Sequence, residues 1–230
     1  MTYKNITEGT FLSRPNRFIA RVDIDGRVHT VHVKNTGRCK EILKEGARVF
    51  LTKSDNPLRK TEYDLVAAEK KTENGTLLIN IDSQIPNAAA EEFLHSSSLF
   101  SPDALIRREV TYGNSRFDLF IEDKGEKTFI EVKGVTLEKD GAALFPDAPT
   151  VRGIKHINEL IRAKEEGFGA YILFIIQMKG VHCFSPNKEM HPEFAAALKN
   201  ALKAGVNILA FDCEITKDSV TVKDPVKTII

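Results

Sequence analysis

Alternation of apolar and polar residues with a period of two dominates the first third of the chain. Phe18-Ile-Ala-Arg-Val-Asp-Ile24 alternates, Asp25-Gly26 supplies a hairpin turn, and Val28-His-Thr-Val-His-Val33 returns. Residues 47–52, 63–68 and 76–81 read as further strands, the last two joined through a tight turn at Asn74-Gly75. Residues 38–44 read as a short helix stopped by Gly46. Five short strands and one short helix predict an all-β unit over residues 1–85, a small barrel of the oligonucleotide-binding (OB) type.

The pattern changes after Pro86-Asn87, which marks a boundary. A helix is expected over residues 88–94, and strands over 106–112, 116–122 and 128–134, with Lys124-Gly125-Glu126 as a turn. Residues 150–166 predict a helix ended by Gly167, and 191–204 a second ended by Gly205. The apolar run Ala170–Ile176 and the stretch 206–211 read as buried strands, so residues 86–230 predict a mixed α/β domain.

Composition narrows the class of protein. Hydrophobic residues make up 42% of the 230 and charged residues 28%, the balance of a globular protein with a substantial core. No apolar run reaches the roughly 18–20 residues of a membrane span, and no signal-like segment opens the chain. Cys39, Cys183 and Cys213 lack metal-type spacing and read as reduced thiols, so a cytoplasmic protein without a membrane partner is expected. Net charge is only +1, yet residues 1–85 carry 15 Lys+Arg against 11 Asp+Glu and the remainder 18 against 21. A basic first unit fits a polyanionic partner.

Candidate chemistry concentrates between Arg116 and Lys133. Strand alternation puts Glu131 and Lys133 on one face and Ile130 and Val132 on the other, and the preceding strand hairpins back to bring Asp118 alongside. Two carboxylates and an amine among apolar neighbours are costly unless they serve one another or a cation. Oxygen ligands on paired strands suit Mg²⁺ or Mn²⁺, with Asp118, Glu131 and the carbonyl of Val132 as ligands. A lysine beside them suits phosphodiester hydrolysis, where it orients water or offsets developing charge. Alternating charge on an exposed strand produces the same spacing, as a salt-bridge pair.

Several motifs resemble the sugar fermentation stimulation protein A family. They are Asn35-Thr-Gly-Arg38, Ser115-Arg-Phe-Asp118, Glu131-Val-Lys-Gly-Val-Thr-Leu137, Phe145-Pro-Asp-Ala-Pro-Thr150, and Arg152-Gly153 followed by Lys155-His156. They cover nearly the whole chain in order, with Cys39 and Val151 departing from the family's usual Met and Glu. The resemblance implies an OB-like barrel followed by a nuclease-type domain of the PD-(D/E)xK class. It also implies DNA binding and a link to the regulation of sugar metabolism.

Around that core, Glu109 is the nearest upstream acid that would join a metal site, and Gln177 closes the strongest core strand at the edge of a site. Arg152, His156 and Glu159 recur at helical spacing on one stripe, where Arg152 and His156 would reach a phosphate or a metal-bound water; the alternative is a solvated face. Asp147 is either a helix-proximal acid or a turn residue. Arg14, Arg17, Lys34, Arg38, Arg59 and Lys60 are the expected phosphate contacts of the barrel, and Phe11 and Phe18 are core residues or base-stacking platforms. The expectation is a nucleic-acid-binding protein, most consistent with DNA, carrying a Mg²⁺-dependent nuclease site. Its rivals are a non-catalytic DNA-binding regulator that keeps the scaffold, and an RNA-processing factor.

Overall fold

The computed structural model describes every residue except Thr36, Pro57 and Asn74, and among the described residues it contains 15 strands and three helices. Strands β1 (Ile6–Asn16), β2 (Ile19–Ile24), β3 (Arg27–Val33), β4 (Arg48–Lys53), β5 (Tyr63–Thr72) and β6 (Gly75–Asn80) form one sheet in the order β3-β2-β1-β4-β5-β6. Parallel pairing of β3 with β5, at His32↔Asp64 and Val33↔Leu65, closes it into a barrel. Phe11, Val22, Val31, Val49, Leu51, Leu65 and Ile79 fill the interior.

Two expectations about this unit change. The first strand, β1, escaped the alternation because its sequence, ITEGTFLSRPN, fully buries Phe11 alone. Gly9 lets the neighbouring strand approach: a Cβ there would stand 2.6 Å from Val22 Cγ1 and 2.8 Å from the Asp23 carbonyl oxygen. The helix expected over residues 38–44 does not form. Cys39 takes a positive φ of 47°, the amides of Ile42 and Leu43 both reach its carbonyl, and the adjacent Ile42 and Leu43 both turn inward, a pairing that helical periodicity does not serve. The turn expected at Asn74-Gly75 involves a residue outside those described.

The second unit contains α1 (Ile85–Ser96), β7 (Leu105–Tyr112), β8 (Ser115–Asp123), β9 (Glu126–Val135), β10 (Leu137–Lys139), β11 (Ala142–Phe145), α2 (Val151–Glu165), β12 (Gly169–Ile176), β13 (Cys183–Pro186), α3 (Pro192–Lys203), β14 (Asn207–Ile215) and β15 (Val220–Pro225). Its main sheet runs β15-β14-β12-β9-β8-β7, with β9, β12 and β14 parallel at the centre. Short strands β10, β11 and β13 make a small second sheet. One face of the main sheet buries Phe129, Ile172 and Phe174 together with Ile157 and Leu160 of α2 and Phe194 and Leu198 of α3. The other buries Leu119, Ile130, Val132 and Leu173 against Ile85, Ala89 and Leu94 of α1. Pro86, read as a boundary marker, lies in the first turn of α1, where its missing N–H leaves no helical bond unmade. Among the described residues no helix is long and apolar enough to cross a membrane. The three cysteines are free and buried, and burial pushes the Cys39 and Cys213 thiols up to about 12.

Barrel and sheet are joined by buried polar contacts. Gln177 donates from Nε2 to Asn80 Oδ1 (2.8 Å) and to the Asp82 carbonyl (3.1 Å), while its own carbonyl accepts the Asn80 amide (3.0 Å). Lys70 of β5 pairs with the buried Glu138 of β10 at 2.5 Å. The start of the chain crosses over: Met1 and Tyr3 pack beside α1 and β15, and the Tyr3 amide donates to the Asp218 carbonyl.

At the barrel seam Asp64, almost fully buried, accepts from both Nη groups of Arg59 (2.9 and 2.6 Å), from His32 Nδ1 (3.0 Å) and from Lys34 Nζ (3.2 Å). Burial works against its charge, but Arg59, His32 and Lys34 prevail and hold the carboxyl down at about 2. A carboxylate whose pKa is lower folded than unfolded stabilises the fold above the unfolded value, and that contribution fades as pH falls through the folded one. Asp64→Asn should therefore lower the urea unfolding free energy at neutral pH by about 2 kcal/mol, the cost of releasing a carboxyl held at about 2 to its ordinary value. The gap between variant and parent should close from about pH 4 down to about pH 2. Equal gaps at both ends of that range would place the cost in packing rather than charge.

Candidate functional site

The hairpin β8–β9 is laddered from Asp123↔Glu126 to Leu119↔Ile130, where the registered pairs end. Asp118, the next residue of β8, extends its carboxylate into the gap: Oδ2 accepts the Val132 amide at 2.8 Å and Oδ1 accepts from Asn87 Nδ2 of α1 at 2.8 Å. A side chain thus replaces the ladder bond where the strands part, and a carboxylate lies beside the central strand.

Glu131, 2% exposed, sits on β9 between two strands and opposite Ile172 of β12. Its Oε1 accepts from Lys133 Nζ and from His156 Nδ1 of α2. Its Oε2 is buried and has no hydrogen-bond partner. Since an arginine is always protonated, the contact from Arg152 Nε to His156 Nε2 (3.3 Å) makes Nε2 the acceptor and leaves the ring proton on Nδ1, facing Glu131. Burial, then the neighbouring Glu131, raises the Asp118 carboxyl above its ordinary value. For Glu131 burial is again the largest influence and an upward one, but His156 and Lys133 outweigh it and bring the carboxyl down. The pair therefore consists of one carboxylate secured by the Lys133 ammonium and the His156 N–H and one that resists ionising beside it.

Asp118, Glu131 and Lys133 thus come together, Val132 turns its side chain to the α1 face and gives its amide to Asp118, and His156 joins them from α2. Its stripe is not a solvated face, because His156 is 6% exposed and packed on Glu131 while Arg152 beside it is open to solvent. Asn87 is an addition that no local pattern signals, since it meets Asp118 from a helix 31 residues away.

Other candidates lie apart. Glu109 is exposed on the edge strand β7, with φ of 58°, and pairs with Arg116 at 2.6 Å instead of turning toward the carboxylates. Gln177 donates through Nε2 to Asn80 and Asp82, and its Oε1 lies against Gly134, the residue after Lys133. Arg14 does not extend outward: its Nη groups donate to the carbonyls of Arg17, Asn35, Gly37 and Arg38, stapling the loop that holds Arg38. Lys34 and Arg59 are engaged at Asp64, whereas Arg17, Arg38 and Lys60 are exposed. Phe11 is core and Phe18 is 55% exposed.

The stapled loop reaches the second unit. A cleft of about 150 Å³ is lined by Asn35 and Gly37 of the loop, Pro86 of α1, Gly134 of β9, Asp147 and Gln177. Gly134, next to Lys133, has no room for a side chain, for a Cβ would meet Pro86 Cγ at 2.6 Å and Gln177 Oε1 at 2.7 Å. A larger cleft of about 930 Å³, between Lys71 and Lys139, is remote from the carboxylates, and its Lys70 and Lys179 are already paired with Glu138, Asp212 and Asp224.

An OB barrel followed by a mixed α/β domain, with a carboxylate–lysine–histidine cluster on the central strand of the latter, defines a two-domain class of protein. Residues 12–81 match the SfsA N-terminal OB domain and residues 84–219 the sugar fermentation stimulation protein RE domain, and the chain belongs to the sugar fermentation stimulation protein family. It is 51% identical over 227 residues to the sugar fermentation stimulation protein homolog of Ruminiclostridium cellulolyticum, covering 99% of both chains. It is 51% identical over 230 residues to that of Clostridium beijerinckii, covering 100% of both. The solved structure of Pyrococcus furiosus SfsA in complex with Ca²⁺ superposes with a TM-score of 0.86 at 31% identity, over 100% of this chain and 98% of that one.

Gly134 holds the cluster's strand against α1, so Gly134→Ala should overpack the contact with Pro86. The expected loss is about 1–3 kcal/mol, read as a lower urea midpoint with an unchanged slope. A variant as stable as the parent would show that α1 can draw back from β9.

Proposed function

We propose that this chain binds nucleic acid, with DNA the first candidate, and hydrolyses phosphodiester bonds at Asp118, Glu131 and Lys133 with the help of a divalent cation. The observation that carries this reading is Glu131 Oε2, buried and without a hydrogen-bond partner beside a second carboxylate whose ionisation it opposes. A buried unpaired carboxylate oxygen next to another carboxylate is unfavourable until a cation lies between them. Among the described residues no three of His, Cys, Asp and Glu gather into a ready cage. Two carboxylates with the Val132 carbonyl and retained waters suit Mg²⁺ or Mn²⁺, which binds through few protein ligands. The related Pyrococcus furiosus protein was solved with Ca²⁺, another oxygen-seeking divalent cation, which supports the same reading. Such a cation supplies Lewis acidity to a phosphodiester and lowers the pKa of water.

The chain's own residues do the rest. Asn87 and the Val132 amide fix Asp118, and His156 fixes Glu131. Lys133 contributes a compact ammonium that orients water or offsets charge developing on phosphate. On the barrel, Arg17 and Arg38 are the proposed phosphate contacts, while Arg14 acts through the loop it staples.

Mg²⁺, Mn²⁺ or Ca²⁺ should raise the melting temperature, as any ligand specific for the folded state does. Asp118→Asn with Glu131→Gln should abolish the rise; an undiminished rise would locate the cation elsewhere.

Parent protein should cut DNA with Mg²⁺ or Mn²⁺ and not with EDTA. Lys133→Arg and Lys133→Met should fold, bind nucleic acid and lose most cleavage, because a planar guanidinium does not reproduce the ammonium. Binding without cleavage by the parent, across DNA and RNA and both metals, would favour a non-catalytic binding protein instead.

A further inference from the structure

Behind the carboxylate cluster, where the β7–β8 turn meets the start of α2, lies a second concavity of about 440 Å³. Thr111, Gly113, Asn114, Ser115, Arg116, Arg152, Lys155 and His156 line it, so it carries two arginines, a lysine and a histidine and no acid. Among the described residues no carboxylate pairs with Arg152 or Lys155. Lys155 is braced by donating to the Asn114 carbonyl at 2.6 Å, and Arg116 is held by a solvent-exposed pair with Glu109, which water screens. Ser115 is the informative member. Its hydroxyl is buried, the residue is only 5% exposed, and Oγ has no hydrogen-bond partner in a wall it shares with Arg116, Arg152 and Lys155. Buried hydroxyls find partners in folded proteins, and one left free among positive charges is arranged for an anion with several acceptor oxygens.

We propose that this pocket binds a phosphate of the nucleic-acid strand other than the one presented to Asp118 and Glu131, setting the register of the strand on the centre. The proposal rests on the nucleic-acid reading above. Arg116 and Lys155 supply the charge, Ser115 a fixed donor, and Arg152 spans the two sites, lining the pocket while its Nε contacts His156, which in turn holds Glu131. A guanidinium suits this position because its planar fork matches phosphate oxygens while leaving Nε for the histidine.

Fluorescence anisotropy of a labelled oligonucleotide over a salt series, in EDTA so that cleavage plays no part, tests this directly. Arg116→Gln with Lys155→Gln should weaken binding by roughly tenfold or more and flatten the salt dependence by about one unit of slope, as expected for one phosphate that the protein no longer neutralises. Its metal-induced rise in melting temperature should stay that of the parent. Ser115→Ala should weaken binding several-fold without loss of stability, because the hydroxyl it removes bonds to nothing in the protein. Parent-like affinity in both variants, with no protection of the parent against heat by inorganic phosphate, would overturn the pocket, whether or not the parent protein cleaves. Inorganic phosphate protecting the parent against heat, with oligonucleotide affinity unmoved by the substitutions, would overturn the strand assignment in favour of free phosphate. A parent that binds no oligonucleotide would remove the underlying reading, an outcome separate from loss of binding in the variants alone.

Discussion

A carboxylate on the central strand of a sheet covered on both faces costs several kcal/mol unless its charge is met nearby, and Glu131 occupies that position. Its surroundings follow from that cost. Lys133 two residues on returns to it, α2 delivers His156 to the same oxygen, and the ring of Phe117 packs edge-on beside the imidazole. Only Oε2 is left over, buried and without a partner. Sheet, helix and hairpin are thus arranged about one buried charge, and the chemistry proposed for the site uses the part of that charge the protein leaves unmet.

Position is secured by the backbone on either side. The β8–β9 ladder stops at Leu119↔Ile130, and Asp118 takes the Val132 amide the ladder would have used, so the carboxylate is placed by substituting for a ladder bond. Beyond Lys133 the strand runs under Pro86 and Gln177 at Gly134, where the OB barrel docks. Gln177 bonds to Asn80 and Asp82, and the loop stapled by Arg14 comes down on the same cleft, so barrel and cluster are held in one register.

Period-two alternation carried most of the β content, because strands with one face in a core must alternate. It failed for β1, whose inner positions are filled by small and polar residues allowed by the close approach at Gly9, and for residues 38–44, whose buried Ile42 and Leu43 answer to the barrel end and not to a helix. Strands β10, β11 and β13 are three or four residues long and exist through their partners, whereas β15 does alternate, with Val220 and Val222 inward, over too short a run to be read as a strand.

The sequence by itself determined the identity and the common face of Glu131 and Lys133, the return of Asp118 on a hairpin, the basic character of the first unit and the family motifs. All of these depend on neighbours along the chain. Tertiary structure alone decided which charges remained available. Arg14, Lys34 and Arg59, expected to meet phosphate, are consumed by carbonyls and Asp64, and Gln177 at the end of its core strand bridges to Asn80, while Asn87 and His156 arrive at the carboxylates from helices that alternation cannot orient. Local periodicity reports which way a side chain leaves its own backbone; what it meets there is set by packing between segments dozens of residues apart, and at a buried charged site that meeting decides the chemistry.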